Sequence, residues 1–268
     1  MLDYSGLGLV EPPFSLSPDP RFFFLSAQHK TALAKITYTA EQRQGLSVVY
    51  GDVGVGKTTI ARRLYQTYND DLNYYAAYLP MPIFPSEFQF LKAICSEFDI
   101  SPRRSKYAQI ESLNTFLINA WKQSKNAVLI IDEAQALVGQ QFELIRQLLN
   151  FESNTQKLIQ LILIGQNELR NKLRLKKSLR SRIATRSTVE PLDPTDTRDM
   201  ISFRVMVAGR KEPLFTSQAI QSIYDYSHGM PREICALGLN VLPLALVQRA
   251  NVIDEDLVAQ AVKELSEE

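Results

Sequence analysis

Cysteine is nearly absent from this 268-residue chain: Cys95 and Cys235 are the only two, both in apolar helical contexts and without CxxC spacing. Neither a disulfide framework nor a cysteine-bound zinc site is suggested, and a reducing compartment is the simpler expectation. Long hydrophobic runs are also missing. "AVLII" at 127–131 and "LIQLILI" at 158–164 fall far below the roughly 20 residues that a membrane-spanning helix needs. The opening "MLDYSGLGLVEPPF" lacks the positive start and apolar stretch of a signal peptide, so the expectation is a soluble cytoplasmic protein with no membrane insertion. Nor does charge of one sign dominate, with 30 basic against 29 acidic side chains. A polyanion partner must therefore be argued from local placement.

What is present is an ordinary globular composition, 45% hydrophobic and 22% charged, enough for one large domain or two small ones. Residues 1–27 are rich in Pro and Phe ("EPPFSLSPDPRFFF") and predict an extended segment that wraps a body without forming an element of its own. A helical pattern follows to about Arg43. Short β-branched or aromatic runs then recur at 46–50, 74–79, 127–131, 159–164 and about 183–189, with helical stretches between most of them. This alternation predicts an α/β body over 28–190, a parallel sheet flanked by helices. After "EPLDP" only helical patterns remain, at 195–208, 216–227, 231–249 and 254–266, with caps expected in "PTDTRD", "TSQA" and "DEDL". They predict a small all-helical domain over 191–268.

The most specific signal is "GDVGVGKT" at 51–58, which satisfies G-x-x-x-x-G-K-[ST] between a predicted strand and a predicted helix. Gly51, Gly54 and Gly56 let the backbone of Asp52, Val53 and Val55 fold tightly with its N–H groups turned towards a phosphate chain. The helix start at Lys57, Thr58 and Thr59 adds its dipole. Lys57 supplies a point charge to the terminal phosphates, and the Thr58 hydroxyl is a ligand for Mg²⁺. In "AVLIIDEAQ", Asp132 and Glu133 stand at the end of a strand that reads as buried, where adjacent carboxylates are costly unless they serve a cation or a reaction. Asp132 fits the acid that directs Mg²⁺, and Glu133 the residue that orients and polarises the attacking water. Taken alone, the pair could instead cap the next helix.

The phosphate loop, "LIIDEAQ", the polar exit of "LILIGQNEL", the basic "SLRSRI" and the late "GMPRE" together resemble the AAA+ ATPases. Within them the chain is most similar to the ExeA/GspA-like group, which includes TnsC-type and MuB-type transposition ATPases. The opening "EPPFSLSPDPRFFFLSAQHKTALA" is similar to the way ExeA-like proteins begin. The resemblance implies an ATPase with a helical lid that works as a homo-oligomeric ring or filament. It implies that Gln166 is a first sensor of the terminal phosphate and that Arg232, just after Pro231, is a second sensor reaching from the lid. Arg182, with Arg180 as second choice, would be the arginine finger given to a neighbouring subunit. An arginine supplied in this way can accelerate hydrolysis about a thousandfold or more.

The same resemblance offers two destinations. One is secretion or pilus assembly, where ExeA-like ATPases generally carry a transmembrane helix and a peptidoglycan-binding part after the ATPase. This sequence ends at Glu268 directly after the predicted lid, which argues for the other destination. There an ATP-bound polymer on duplex DNA selects a transposition target and recruits a transposase, with target-selector proteins as further partners. "SPRRSKY" at 101–107 joins two predicted helices and presents Arg103, Arg104 and Lys106, a cluster suited to gripping phosphates without reading bases. A second basic run, Arg170 to Arg186, holds eight Lys or Arg and no acid, and is assigned to the subunit interface around the finger. On these grounds the leading expectation is a DNA-dependent transposition ATPase, with the secretion or pilus ATPase as the alternative.

Overall fold

The computed structural model describes residues 4–17 and 19–266. Two compact units emerge, each with its own hydrophobic core. One comprises Gln28–Val53 and Ile60–Val189; the other gathers Met1–Ala27, Gly54–Thr59 and Glu190–Glu268.

The first unit is built on a five-stranded parallel sheet. Its elements begin with α1 (Ala27–Glu41), β1 (Leu46–Gly51), α2 (Lys57–Asn69) and β2 (Tyr74–Leu79). Then come α3 (Glu87–Glu97), α4 (Lys106–Lys122), β3 (Asn126–Ile131), α5 (Gly139–Leu148) and β4 (Ile159–Gly165). The last are α6 (Asn167–Arg174), the short α7 (Lys177–Arg180) and β5 (Ile183–Val189). The strand order is β2-β3-β4-β1-β5. Every strand run expected from the sequence is a strand here. β1, β3 and β4 are buried along their whole length, which is why "AVLII" and "IQLILIG" read as continuous apolar runs and not as alternation. The edge strands β2 and β5 expose part of theirs.

Register decides what the sheet presents at its carboxyl end. Tyr50 pairs with Gly165, Ile131 with Leu163, and Leu79 with Ile131. β1, β3 and β4 therefore end side by side, delivering the chain after Gly51, after Ile131 and after Gly165 to one edge. Ligands of open α/β sheets bind at this edge, where the strand order reverses.

The second unit contains α8 (Pro194–Val207), α9 (Ser217–Ser227), α10 (Pro231–Val247) and α11 (Glu255–Ser266). Side-chain caps close three of their starts: Asp193 accepts from the Asp196 N–H at 2.7 Å, Thr216 from Ala219 at 3.1 Å and Asp254 from Leu257 at 3.1 Å. The N-terminal segment is more than an extended wrap. It forms 3₁₀ turns at Tyr4–Leu7 and Pro20–Phe22 and inserts Leu7, Leu9, Phe14 and Phe22 into the helical core. Arg204 fastens it by donating to the carbonyls of Pro13 (2.8 Å) and Phe22 (3.1 Å), and Arg210 does so at Leu7 (2.8 Å).

Phe14 lies so close to α10 that a Cβ on Gly238 would stand 2.5 Å from its ring. Gly238→Ala should therefore destabilise the helical unit by roughly 1–3 kcal/mol, the usual cost of overpacking a core. Chemical denaturation would measure it, and a variant as stable as the parent would refute the packing.

Candidate functional site

The phosphate-loop sequence adopts the backbone that its glycines predict. Gly54 and Gly56 have φ of +88° and +99°, in the left-handed region that glycine enters without a Cβ penalty. Helix α2 opens at Lys57, and Thr59 N–H donates to the Gly56 carbonyl at 3.1 Å. The unpaired N–H groups of a first helical turn favour an anion. Lys57 is only 5% exposed, so an ammonium is held in a largely dry place at that helix start. In the unit that gathers Gly54–Thr59, α10 begins with Pro231 as its first residue, and a Cβ on Gly54 would meet Arg232 Cβ at 3.0 Å. The side chain of Arg232 thus starts directly against the loop. The Met230 side chain, two residues earlier, would stand 3.8 Å from the same Cβ.

At the sheet edge, Asp132 is 1% exposed, while its N–H continues the ladder by donating to the Leu79 carbonyl at 2.9 Å. Its Oδ1 accepts the Glu133 N–H at 2.9 Å, and its Oδ2 faces the Tyr78 hydroxyl at 3.5 Å. Burial, followed by the neighbouring Asp132 charge, pushes the Tyr78 phenol up to about 12, so at neutral pH it remains a donor. Glu133 itself is left-handed at φ +49°, a conformation costing about 1–3 kcal/mol for a non-glycine residue and found preferentially at functional positions. Its carboxylate does not cap the following turn, Ala134–Ala136. The capping role that the D-E pair left open is thereby set aside for Glu133.

Instead Glu133 Oε2 accepts from two amides, Gln135 Nε2 in a short contact and Gln166 Nε2 at 3.4 Å. The two residues singled out in separate motifs, Glu133 and Gln166, are therefore brought together by the pairing of β3 with β4. Gln135 was missed by sequence reasoning, as was Asn167, whose Nδ2 donates to Asp52 Oδ1 at 2.5 Å and ties the exit of β4 to the start of the phosphate loop. Both lie beside motif residues in sequence, but an amide there carries no signal of its own.

The basic residues fare differently. Arg180 is exposed, and its carbonyl accepts from Arg186 Nη2 at 2.9 Å. Arg182 is half-buried, with Nη1 enclosed and making no hydrogen bond. In the 101–107 stretch, Arg103 and Arg104 are exposed on the connection, but Arg103 Nε already donates to Ser112 Oγ at 2.9 Å. Lys106 is the first residue of α4 and not part of the connection, and its Nζ pairs with Glu87 Oε2 at 2.7 Å. Of the three charges expected on a phosphate-gripping loop, one is thus neutralised by an internal partner. Among the described residues no helix is long and apolar enough to cross a membrane, and no cluster of three His, Cys, Asp or Glu side chains forms a metal site.

A family profile described as an AAA domain matches residues 40–173. General secretion pathway protein A of Aeromonas hydrophila is 34% identical over 263 residues, covering 97% of this chain and 48% of that protein. The chain thus spans about half the length of that relative. Among solved structures, Cdc6p from Pyrobaculum aerophilum superposes with a TM-score of 0.68 at 17% identity, over 98% of this chain and 71% of the other. The Drosophila ORC bound to DNA gives 0.70 at 14% identity, over 95% and 64%. At such identities these two likenesses bear on the fold alone: a parallel-sheet AAA+ P-loop NTPase with a helical C-terminal part.

Proposed function

Because the chain belongs to the AAA domain family, we propose that it hydrolyses Mg²⁺-bound ATP as an oligomer and that this hydrolysis serves protein secretion or pilus assembly. The observation that carries the destination is the 34% identity to General secretion pathway protein A, which runs through 97% of this chain, both units included. That identity favours the secretion alternative over the transposition reading. The internal pairing of Lys106 with Glu87 further weakens the DNA-gripping cluster on which the latter relied.

The residues present fit the nucleotide. Two left-handed glycines and a helix start form an anion cradle, an almost fully buried lysine points to phosphate charge, and a 1%-exposed carboxylate points to a cation. In this reading Lys57 and the backbone of 51–59 bind the phosphates, Thr58 and Asp132 hold Mg²⁺, and Arg232 contacts the nucleotide from the start of α10. Bound Mg²⁺ supplies neutralisation of the phosphate charge. Glu133 takes the proton of the attacking water, and Gln166 reads the terminal phosphate beside it. Arg180 is preferred to Arg182 as the finger, since a guanidinium offered to another subunit must be exposed.

The decisive measurement is ATP turnover with and without duplex DNA. The secretion reading expects turnover indifferent to DNA, together with loss of protein export or pili when the gene is deleted. Manyfold stimulation by duplex DNA that falls steeply between about 50 and 200 mM salt would overturn it in favour of a DNA-scaffolded ATPase.

A further inference from the structure

The turn after β3 holds a side chain that no motif assigns. Gln135 Oε1 accepts the backbone N–H of Gln166 at 3.0 Å. A backbone N–H can only donate, so this bond fixes which end of the amide is oxygen and directs Nε2 at Glu133. Nε2 meets Glu133 Oε2, the same oxygen that the Gln166 amide reaches at 3.4 Å. Both donors thus fall on one carboxylate oxygen, and Oε1 accepts from neither.

The turn beneath is itself clamped: Lys172 Nζ, from α6, donates to the carbonyls of Gln135 (2.6 Å) and Leu137 (3.1 Å). Space for the arrangement depends on Gly165, where a Cβ would stand 2.7 Å from Gln135 Oε1. A left-handed backbone at Glu133 sets its side-chain direction apart from that of an ordinary strand exit, so the carboxylate relies on such contacts to be aimed.

We propose that Gln135 is a positioning residue for Glu133: it pins one carboxylate oxygen to the end of β4 and so leaves the other aimed at the attacking water. This rests on Glu133 being the base. Gln135 touches no reacting atom; it acts by holding the base in one orientation before substrate arrives, and displacement of a reacting group by about 1 Å can cost on the order of a hundredfold in rate. The triangle also joins β3 to β4, so a shift of Gln166 at the β4 exit is transmitted to the base through Gln135.

The test is ATP turnover and nucleotide affinity of the full chain in five forms: unaltered, Gln135→Met, Gln135→Glu, Glu133→Gln and the Gln135→Met, Glu133→Gln double variant. Methionine keeps length and volume but offers no amide. Gln135→Met should lower kcat about tenfold while KM and nucleotide affinity stay within about twofold. In the Glu133→Gln background the same change should leave the residual rate unaltered, because a positioning residue with no base to position is silent. Gln135→Glu, which keeps the acceptor for the Gln166 N–H and replaces only the donor, should lower kcat at least as much. An unchanged kcat in Gln135→Met, or an equal tenfold loss in both backgrounds, would overturn the proposal. Full turnover in Glu133→Gln would instead overturn the assignment of the base itself.

Discussion

Lys57→Ala is expected to bind ATP at least thirtyfold more weakly than the parent, to the point of no measurable binding at ordinary protein concentrations. Lys57 is 5% exposed and is the first residue of α2, directly after two left-handed glycines, so its side chain meets little competing water. Removing one partner of a buried, hydrogen-bonded charge pair costs about 2–5 kcal/mol, which is thirtyfold to several thousandfold in affinity. The loss should appear in a fluorescent-nucleotide titration with the fold intact by circular dichroism. Unchanged affinity in a folded variant would refute the loop as the nucleotide site, and every role assigned around it.

Glu133→Gln is expected to separate binding from hydrolysis. The substitution keeps the shape of the side chain and removes its basicity, so nucleotide affinity should stay within about threefold while turnover falls roughly a hundredfold or more, the usual share of a general base. If ATP at a subunit seam holds copies together, the variant should also form assemblies that persist in ATP long after those of the parent have dispersed. Single-turnover hydrolysis alongside light scattering would measure both. A variant that turns over normally would remove the catalytic role from Glu133 and return it to the turn in which it sits.

Much of this site is legible along the chain. "GDVGVGKT" announces its own geometry because glycine spacing, the lysine and the helix start are local, and the φ values of Gly54 and Gly56 follow from that. Asp132 is legible because a carboxylate directly after "AVLII" has few innocent reasons to be there. Lys106 is the instructive opposite. In sequence it belongs to a basic cluster; in space α3 brings Glu87 to it, and the pair removes a charge that spacing alone had counted as available. Likewise "SLRSRI" put Arg182 ahead of Arg180, yet Arg180 is exposed and Arg182 half-buried.

The destination of the hydrolysis shows the same division. The clustering of its basic residues favoured transposition, whereas identity spread over both units favours secretion or pilus assembly.

By itself the sequence determined the strands and helices and the left-handed glycines of the turn at 51–58, because periodicity, glycine placement and helix caps act between neighbours a few residues apart. Only the tertiary structure decided that Glu133, Gln135 and Gln166 form one triangle, that Lys106 is already paired, and that residues before Phe24 complete the core of the helices after Glu190. Those outcomes depend on which strand lies beside which and on what each side chain meets across the fold, and no local pattern encodes contacts between residues that distant along the chain.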